Sequence, residues 1–225
     1  DVPVASNSGC YRPVTIIAPE GTCVNAAAPA PVVHRIAISH RLATVLFGAL
    51  SKAVPERMPA AYYAVSYVVA FQTVDPKHGR KVLVEIEIGG CGGLSYSDGA
   101  SAHSFGMHNN ANIPMEMIES DMPLTFMGYG LMPDSGGAGR HRGGLGLWRE
   151  WRVEAESGTV STNLDRFKFP PFGLDGGGTG SLSKLFLIRG GERVALGSKV
   201  TNMPVAKGDV IRLETSGGGG FGPPR

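Results

Sequence analysis

The sequence predicts an α+β fold that is mostly β, with glycine-rich turns and one clear amphipathic helix. Glycine is the outlier of the composition, with 33 of 225 residues, and it clusters between short stretches rich in β-branched residues. Because glycine favours turns and disfavours long helices, this arrangement predicts many short strands. One segment alone has the three- and four-residue spacing of apolar side chains that is typical of an amphipathic helix.

Residues 1–122 are predicted to form an α+β segment. Its helix spans residues 37–53 and is stopped by Pro55, because proline cannot continue a helix interior. Residues 61–88 are predicted to form a β-hairpin, since two β-rich runs flank the turn-forming residues 75–80. The apolar positions of the helix form one stripe that comprises Ile38, Leu42, Val45, Leu46, Ala49 and Leu50.

Residues 123–225 are predicted to form an all-β unit. Short β-type runs recur there at regular intervals and are separated by glycine-containing turns. Such spacing is typical of a sandwich or a barrel. We therefore place a soft boundary near residue 122.

The composition excludes several classes of protein. The net charge is only +2, and the short basic cluster 140–142 has no interleaved aromatic residues, so we expect no nucleic-acid partner. No apolar run approaches the length of a membrane-spanning helix, so we expect no membrane partner. The three cysteines lack metal-ligand spacing, and a reduced, cytoplasmic setting is the simplest interpretation. The chain begins with Asp1, which suggests a fragment or a processed product.

Two glycine-rich segments raise the question of a phosphate site. Residues 135–146 lack the lysine followed by Ser or Thr of a nucleotide loop, and they lead into a strand-like run instead of a helix. An anion-binding role and a tight loop that lets backbone segments approach closely both remain open. Residues 217–220 are four consecutive glycines, for which we predict a flexible tail, with close passage by a ligand or partner as the alternative.

A polar stretch after the hairpin holds the best candidate site. Imidazole and carboxylate groups can act as general acids and bases near neutral pH, and loops on a scaffold often carry functional groups. The spacing of its histidines matches no zinc motif, so no metal or cofactor is assigned to this chain. Structural hydrogen bonding by the same side chains is the alternative. The candidates are His108, Glu116 and His103 for catalysis, and Asn109, Asn112 and Asp98 for substrate binding.

An ordered set of short motifs runs along nearly the whole chain. It resembles the hydantoinase B/oxoprolinase family, which includes the B-type subunits of hydantoinases, 5-oxoprolinases and acetone or acetophenone carboxylases. Members of the family are about twice as long as this chain, which resembles their C-terminal half. The motifs are Gly9–Val14, Ala18–Gly21 with Asn25, Pro55–Arg57, Gly89–Gly90, Asp98–Gly99, Asn109-x-x-Asn112-x-Pro114-x-Glu116-x-x-Glu119, Ser135–Arg140, Arg142–Gly144, Gly208–Val210 and Gly217–Gly220.

The resemblance implies a division of labour between subunits. Family members work with an A-type subunit that carries ATP, with Mg, in an actin-like fold, so the partners expected here are that subunit, the N-terminal half of the same B-type subunit and a small-molecule substrate. A divalent metal, Zn or Mn, would lie outside this chain. The implied chemistry is phosphorylation of a carbonyl oxygen, followed by hydrolysis of a cyclic amide of the hydantoin or 5-oxoproline type.

Two alternatives to cyclic amide hydrolysis remain. Many relatives carry a His-x-His-Met-Thr-Asn run, whereas the histidines here stand at 103 and 108, and this departure keeps an ATP-dependent ketone carboxylase open. The chain could also be a non-catalytic scaffold. The sequence itself does not identify the substrate, the metal or the stoichiometry of the complex.

Overall fold

The computed structural model describes residues 7–77 and 79–224. Its helices are α1 (Arg35–Leu50) and α2 (Met115–Asp121), and two 3₁₀ turns lie at Ser8–Tyr11 and Pro55–Arg57. The strands are β1 (Tyr67–Asp75), β2 (Gly79–Glu87), β3 (Leu124–Leu131), β4 (Leu147–Val153), β5 (Ser157–Asn163), β6 (Lys184–Arg189), β7 (Glu192–Leu196), β8 (Lys199–Ala206) and β9 (Val210–Glu214). The expected mostly-β, α+β class is confirmed.

The strands form two antiparallel sheets. The four-stranded sheet has the order β2-β1-β5-β8, and the five-stranded sheet has the order β3-β4-β9-β6-β7. Alternate side chains of β1 and β4 are buried, as expected for strands with one face on a core. The two sheets meet through aromatic packing, with 5.7 Å between the ring centroids of Phe71 and Trp151.

The predicted hairpin is confirmed in its strands, which pair in antiparallel register from Tyr67 opposite Glu87 to Asp75 opposite Gly79. Residues 61–66, which we included in the hairpin, lie outside any strand, with 61–65 buried and Ser66 partly exposed. The boundary near residue 122 lies between α2 and β3, and the pairing of β1 with β5 runs across it. That residue 122 separates two folding units stays a prediction.

Helix α1 presents its polar side to the protein. The helix runs from Arg35 to Leu50, so the predicted span 37–53 is shifted by two to three residues. Its two buried residues are His40 and Thr44. The apolar stripe faces outward, although such a stripe normally packs on a core. It includes Leu42, Val45, Leu46 and Leu50, which are 43% to 65% exposed.

The segment of four glycines near the C-terminus is buried, so the predicted flexible tail is wrong. Successive N–H groups of Gly218, Gly219 and Gly220 donate to carbonyls of three different segments, at Gly144, Ala61 and Gly178. Successive N–H groups thus point to three different neighbours, which is typical of an extended backbone helix with three residues per turn. Side chains are excluded because a Cβ on Gly218 would lie 1.9 Å from the carbonyl oxygen of Cys91.

Candidate functional site

His108 lies on the loop between β2 and α2, and both of its ring nitrogens are occupied. Nδ1 lies 2.8 Å from the hydroxyl of Tyr63, and Nε2 lies 2.5 Å from the hydroxyl of Ser66. The side chain is half-buried. These two hydroxyls fix the orientation of the ring, as expected of a positioned acid or base.

A second imidazole stands beside His108. His40 projects inward from α1, fully buried, and its ring meets that of His108 at a centroid distance of 4.1 Å and an angle of 74°. Its Nδ1 lies 3.0 Å from the hydroxyl of Tyr62. Nε2 of His40 has no hydrogen-bond partner within the described part of the chain, which is uncommon for a buried polar atom.

The cluster of His40, Tyr62, Tyr63, Ser66 and His108 is electrically neutral at pH 7. Burial lowers the pKa of His40 to about 4, and the neighbouring His108 and Arg41 also act to lower it. Burial likewise lowers the pKa of His108 and raises that of Tyr63. A neutral imidazole at His108 can accept a proton, and perturbed pKa values are frequent at functional sites.

The backbone that carries Tyr63 and Ser66 is strained. Ala64 adopts a φ of 49°, a left-handed conformation that residues other than glycine rarely adopt. The guanidinium of Arg166 holds this turn by donating to the carbonyls of Tyr62 and Tyr63 at 2.9 and 2.8 Å. Such strain persists where surrounding contacts enforce it, and it concentrates at functional sites.

Asn112 and Glu116 line a separate cleft of about 200 Å³. The side-chain amide of Asn112 donates to the hydroxyl of Tyr129 at 3.0 Å. Tyr129 and Arg149 also line the cleft, together with apolar side chains of residues 113–115. This mixture of apolar walls and a few polar groups suits a small polar ligand.

A buried charge cluster lies behind the cleft. Nη1 of Arg149 lies 2.6 Å from Glu87 and 3.2 Å from Glu85, and the indole of Trp151 donates to Glu85 at 2.6 Å. Burial raises the pKa of Glu85 to about 7, with Glu87 adding to the rise and Arg149 opposing it. These contacts join β2 to β4 and therefore connect the two sheets.

The six predicted site residues do not gather in one place. The carboxylate of Asp98 accepts from the backbone N–H of Arg142 at 3.0 Å, so it contacts the glycine-rich segment. His103 is exposed, and its backbone N–H donates to the carbonyl of Gly89. Asn109 is also exposed. Catalytic and substrate-binding roles for all six stay predictions, divided between the histidine cluster and the cleft.

The glycine-rich segment 135–146 uses its N–H groups within the protein. Gly137, Gly143 and Gly144 donate to backbone carbonyls, and the N–H of Gly146 donates to the hydroxyl of Ser135. These donors are therefore not directed at a bound phosphate, in contrast to those of a nucleotide loop. The close backbone packing supports the interpretation of a tight loop.

Two further findings concern metals and membranes. Within residues 7–77 and 79–224, no three His, Cys, Asp or Glu side chains form a group that could hold a metal ion. These residues therefore do not fit a metal centre of their own. The same ranges contain no helix that is long and apolar enough to cross a membrane.

The sequence did not identify the partners of His108. Tyr63 and Ser66 are 45 and 42 residues away along the chain, so no local motif connects them. His40 stands on the polar side of a helix whose other side is apolar, a pattern that predicts exposure, so its burial was not predicted. Glu85 and Glu87 alternate with Val82, Val84 and Ile86, which predicts glutamates facing solvent, whereas the structure buries the glutamates and exposes the three apolar residues.

Comparison with known proteins identifies the family. The family model described as hydantoinase B/oxoprolinase matches residues 1–224. The chain belongs to this family. Among its relatives is the B-type polypeptide of a D-/L-hydantoinase from Pseudomonas sp. (strain NS671), which is 35% identical over 97% of this chain. The match spans only 37% of that polypeptide's length.

Solved structures of this family's relatives share the fold. The ATP-dependent caprolactamase from Pseudomonas jessenii superposes with a TM-score of 0.81 at 25% identity, covering 97% of this chain and 40% of that one. A nucleotide-free acetone carboxylase superposes with a TM-score of 0.56 over 77% of this chain and 28% of that one. At 16% identity, the second match shows a similar fold alone.

Proposed function

We propose that this chain works as the C-terminal portion of the B-type subunit of a heteromeric, ATP-dependent enzyme that hydrolyses a cyclic amide of the hydantoin or 5-oxoproline type. The observation that carries the proposal is the family match over residues 1–224, together with a hydantoinase relative at 35% identity. The caprolactamase match adds a second relative whose name joins ATP to a cyclic amide.

In this proposal, ATP binds to an A-type partner together with Mg. The engaged N–H groups of Gly137, Gly143, Gly144 and Gly146 support that assignment, because these donors bind other parts of the protein and are not directed at a nucleotide. A divalent ion such as Zn or Mn, where one is used, would lie on polypeptide outside this chain. The isolated chain is then expected to hydrolyse no ATP.

His108 is proposed as the acid–base group. Its lowered pKa leaves the imidazole neutral, and because both ring nitrogens are bonded to hydroxyls, a proton from an attacking water would reach the ring through the Ser66 hydroxyl, which takes that proton as it gives its own to Nε2. Tyr63 and Ser66 would act as positioning residues that hold the ring. Asn112 and Glu116 would bind the amide substrate in the cleft that they share.

The test is a reconstituted complex of A-type and B-type subunits in which the B-type polypeptide contains this chain. We expect hydantoin or 5-oxoproline to stimulate ATP hydrolysis, and His108→Ala and Glu116→Ala to reduce the coupled turnover without dissociating the complex. Lys207→Gln, an exposed change in the turn before β9, is the control. Full activity of both alanine variants would remove these residues from the proposal.

The same assay addresses the two alternatives. Stimulation by a ketone with bicarbonate, and not by cyclic amides, would indicate a carboxylase, for which the acetone carboxylase fold is the supporting observation. A complex that turns over normally with every variant of the histidine cluster and cleft would indicate a scaffold. The higher identity to the hydantoinase polypeptide favours the hydrolase.

A further inference from the structure

The N-terminal quarter of the described chain contributes little to the apolar core, against which its Phe47 packs while only partly buried. Every buried apolar residue lies at Ala60 or later. Before it, only the polar residues His40 and Thr44 are buried. Burial of apolar surface is the main driving force that offsets the conformational entropy lost on folding. A segment with so little apolar burial is therefore stabilised further where another surface covers it.

The exposed apolar side chains of helix α1 lie on one side. Leu42, Val45, Leu46 and Leu50 recur at three- and four-residue intervals, which places them on the same face. The opposite face is anchored to the protein by the buried His40, and the flank of the helix by the ion pair of Arg41 with Asp165 at 2.6 Å. The orientation of the helix is thus fixed, with its apolar face outward.

Basic side chains lie at both ends of this face. Residues 21–55 contain no Asp or Glu, Arg35 begins the helix and Lys52 lies just beyond it, whereas Arg41 is paired with Asp165. The surface is therefore an apolar stripe with a basic rim. It fits a partner surface that is apolar at its centre and acidic at its edge, since complementary rims favour association and exclude wrong partners.

We propose that the outer face of α1 is the docking surface for the remaining polypeptide of the B-type subunit. The inference rests on the proposed function in its assignment of this chain to such a polypeptide. The caprolactamase chain carries this fold over 97% of the present chain, which covers only 40% of the caprolactamase chain, so the same fold occurs within a larger polypeptide that could cover the face. His40, on the inner face, links the docking surface to the histidine cluster.

The experiment is co-expression of the tagged chain with the portion of the Pseudomonas sp. hydantoinase B-type polypeptide that the chain does not match. Capture of that portion is measured for the wild type, for Leu46→Asp and for Leu42→Asp. Val194→Asp on β7 is the matched control, because Val194 and Leu42 are exposed to nearly the same degree, 42% and 43%. Circular dichroism and the unfolding temperature establish that each variant is folded.

We expect wild type and Val194→Asp to capture the portion equally, and both leucine variants to capture at least tenfold less. Three results would overturn the proposal: no capture by the wild type, undiminished capture by the folded leucine variants, or sedimentation showing a dimer of this chain that Leu46→Asp dissociates. Capture does not require ATP hydrolysis. If capture is intact and the activity assay fails, the proposed reaction is rejected and the proposed interface is retained.

Discussion

The imidazole of His40 packs edge-on against the imidazole of His108, with 4.1 Å between the ring centroids. One ring belongs to helix α1 and the other to the loop before α2, so the contact joins an outlying helix to the candidate site. Both rings have lowered pKa values because burial disfavours their charged forms. A proton added to either ring would also repel a charge on the other.

The stability of the protein should fall at acid pH through His40. Its pKa in the folded state, about 4, lies below the ordinary value of 6.5, so between these values the unfolded chain binds a proton that the folded chain does not. Stability is therefore present above pH 6.5 and lost as pH falls towards 4, by at most about 3 kcal/mol. Urea unfolding at pH 7.5 and 5 measures the loss.

His40→Asn is the informative variant for that measurement. Asparagine can keep a polar atom near Nδ1 and the bond to Tyr62, but it does not titrate. We expect its stability to decline less than that of the wild type between pH 7.5 and 5. Equal declines in the two proteins would show that His40 does not carry the effect.

Glu85 should act in the opposite direction. Its pKa is raised to about 7 from an ordinary 4.5, chiefly by burial, so the protein gains stability from this group as pH falls through 7, and the gain is complete below 4.5. Glu85→Gln keeps an acceptor for the indole of Trp151. We expect the variant to be more stable than the wild type at pH 8 by on the order of 2 kcal/mol.

The advantage of Glu85→Gln should shrink when urea unfolding is repeated at pH 5, where the wild-type carboxyl is protonated. Glu87 remains in both proteins and pairs with Arg149 at 2.6 Å. The comparison thus isolates one carboxyl of the pair. A constant difference across the pH range would contradict the raised pKa.

Local periodicity predicted the helix to within three residues at each end and the hairpin except for residues 61–66, because side-chain spacing reports secondary structure directly. It did not indicate which face of α1 meets the protein. The apolar stripe that normally marks the inner face lies outside here, and His40 and Thr44 lie inside.

The candidate site was only partly predictable. His108 was found as a polar loop residue, but its contacts with Tyr63 and Ser66 depend on the tertiary fold. The glycines at 217–220 suggested flexibility because their local sequence does not show which distant segments pack against them. Their burial results from other glycine-rich segments that approach from distant parts of the chain.

Gly218 should tolerate no side chain. An added Cβ would lie 1.9 Å from a backbone oxygen of Cys91, and backbone atoms cannot move aside as a flexible side chain can. We expect Gly218→Ala to lower the free energy of unfolding by about 3 kcal/mol or to prevent folding. Gly197→Ala is the control, since nothing lies within 4 Å of its added Cβ. Thermal and urea unfolding compare the two, and equal stability would contradict the packing.

Tyr63 should affect catalysis through the orientation of His108. Its hydroxyl lies 2.8 Å from Nδ1 of that ring, so Tyr63→Phe leaves the imidazole in place and removes its restraint. In the reconstituted complex we expect kcat to fall about tenfold while KM changes little, since positioned acid–base groups typically contribute roughly 10²–10⁴-fold and the ring is only loosened. His108→Ala should cost more, because it removes the base.

A pH profile separates this positioning role from a general loss of structure. The lowered pKa of His108 predicts that the decline of kcat on the acid side is displaced to lower pH than for an ordinary histidine. Loss of the Tyr63 hydroxyl alters the hydrogen bonding of the ring, so the acid limb of the profile, where kcat falls at low pH, should shift. A variant that is merely destabilised would have a lower kcat with its acid limb at the wild-type pH. Ser66→Ala, which removes the bond to Nε2, should also move the limb. If both variants retain the wild-type limb, the two hydroxyls do not tune His108 during turnover.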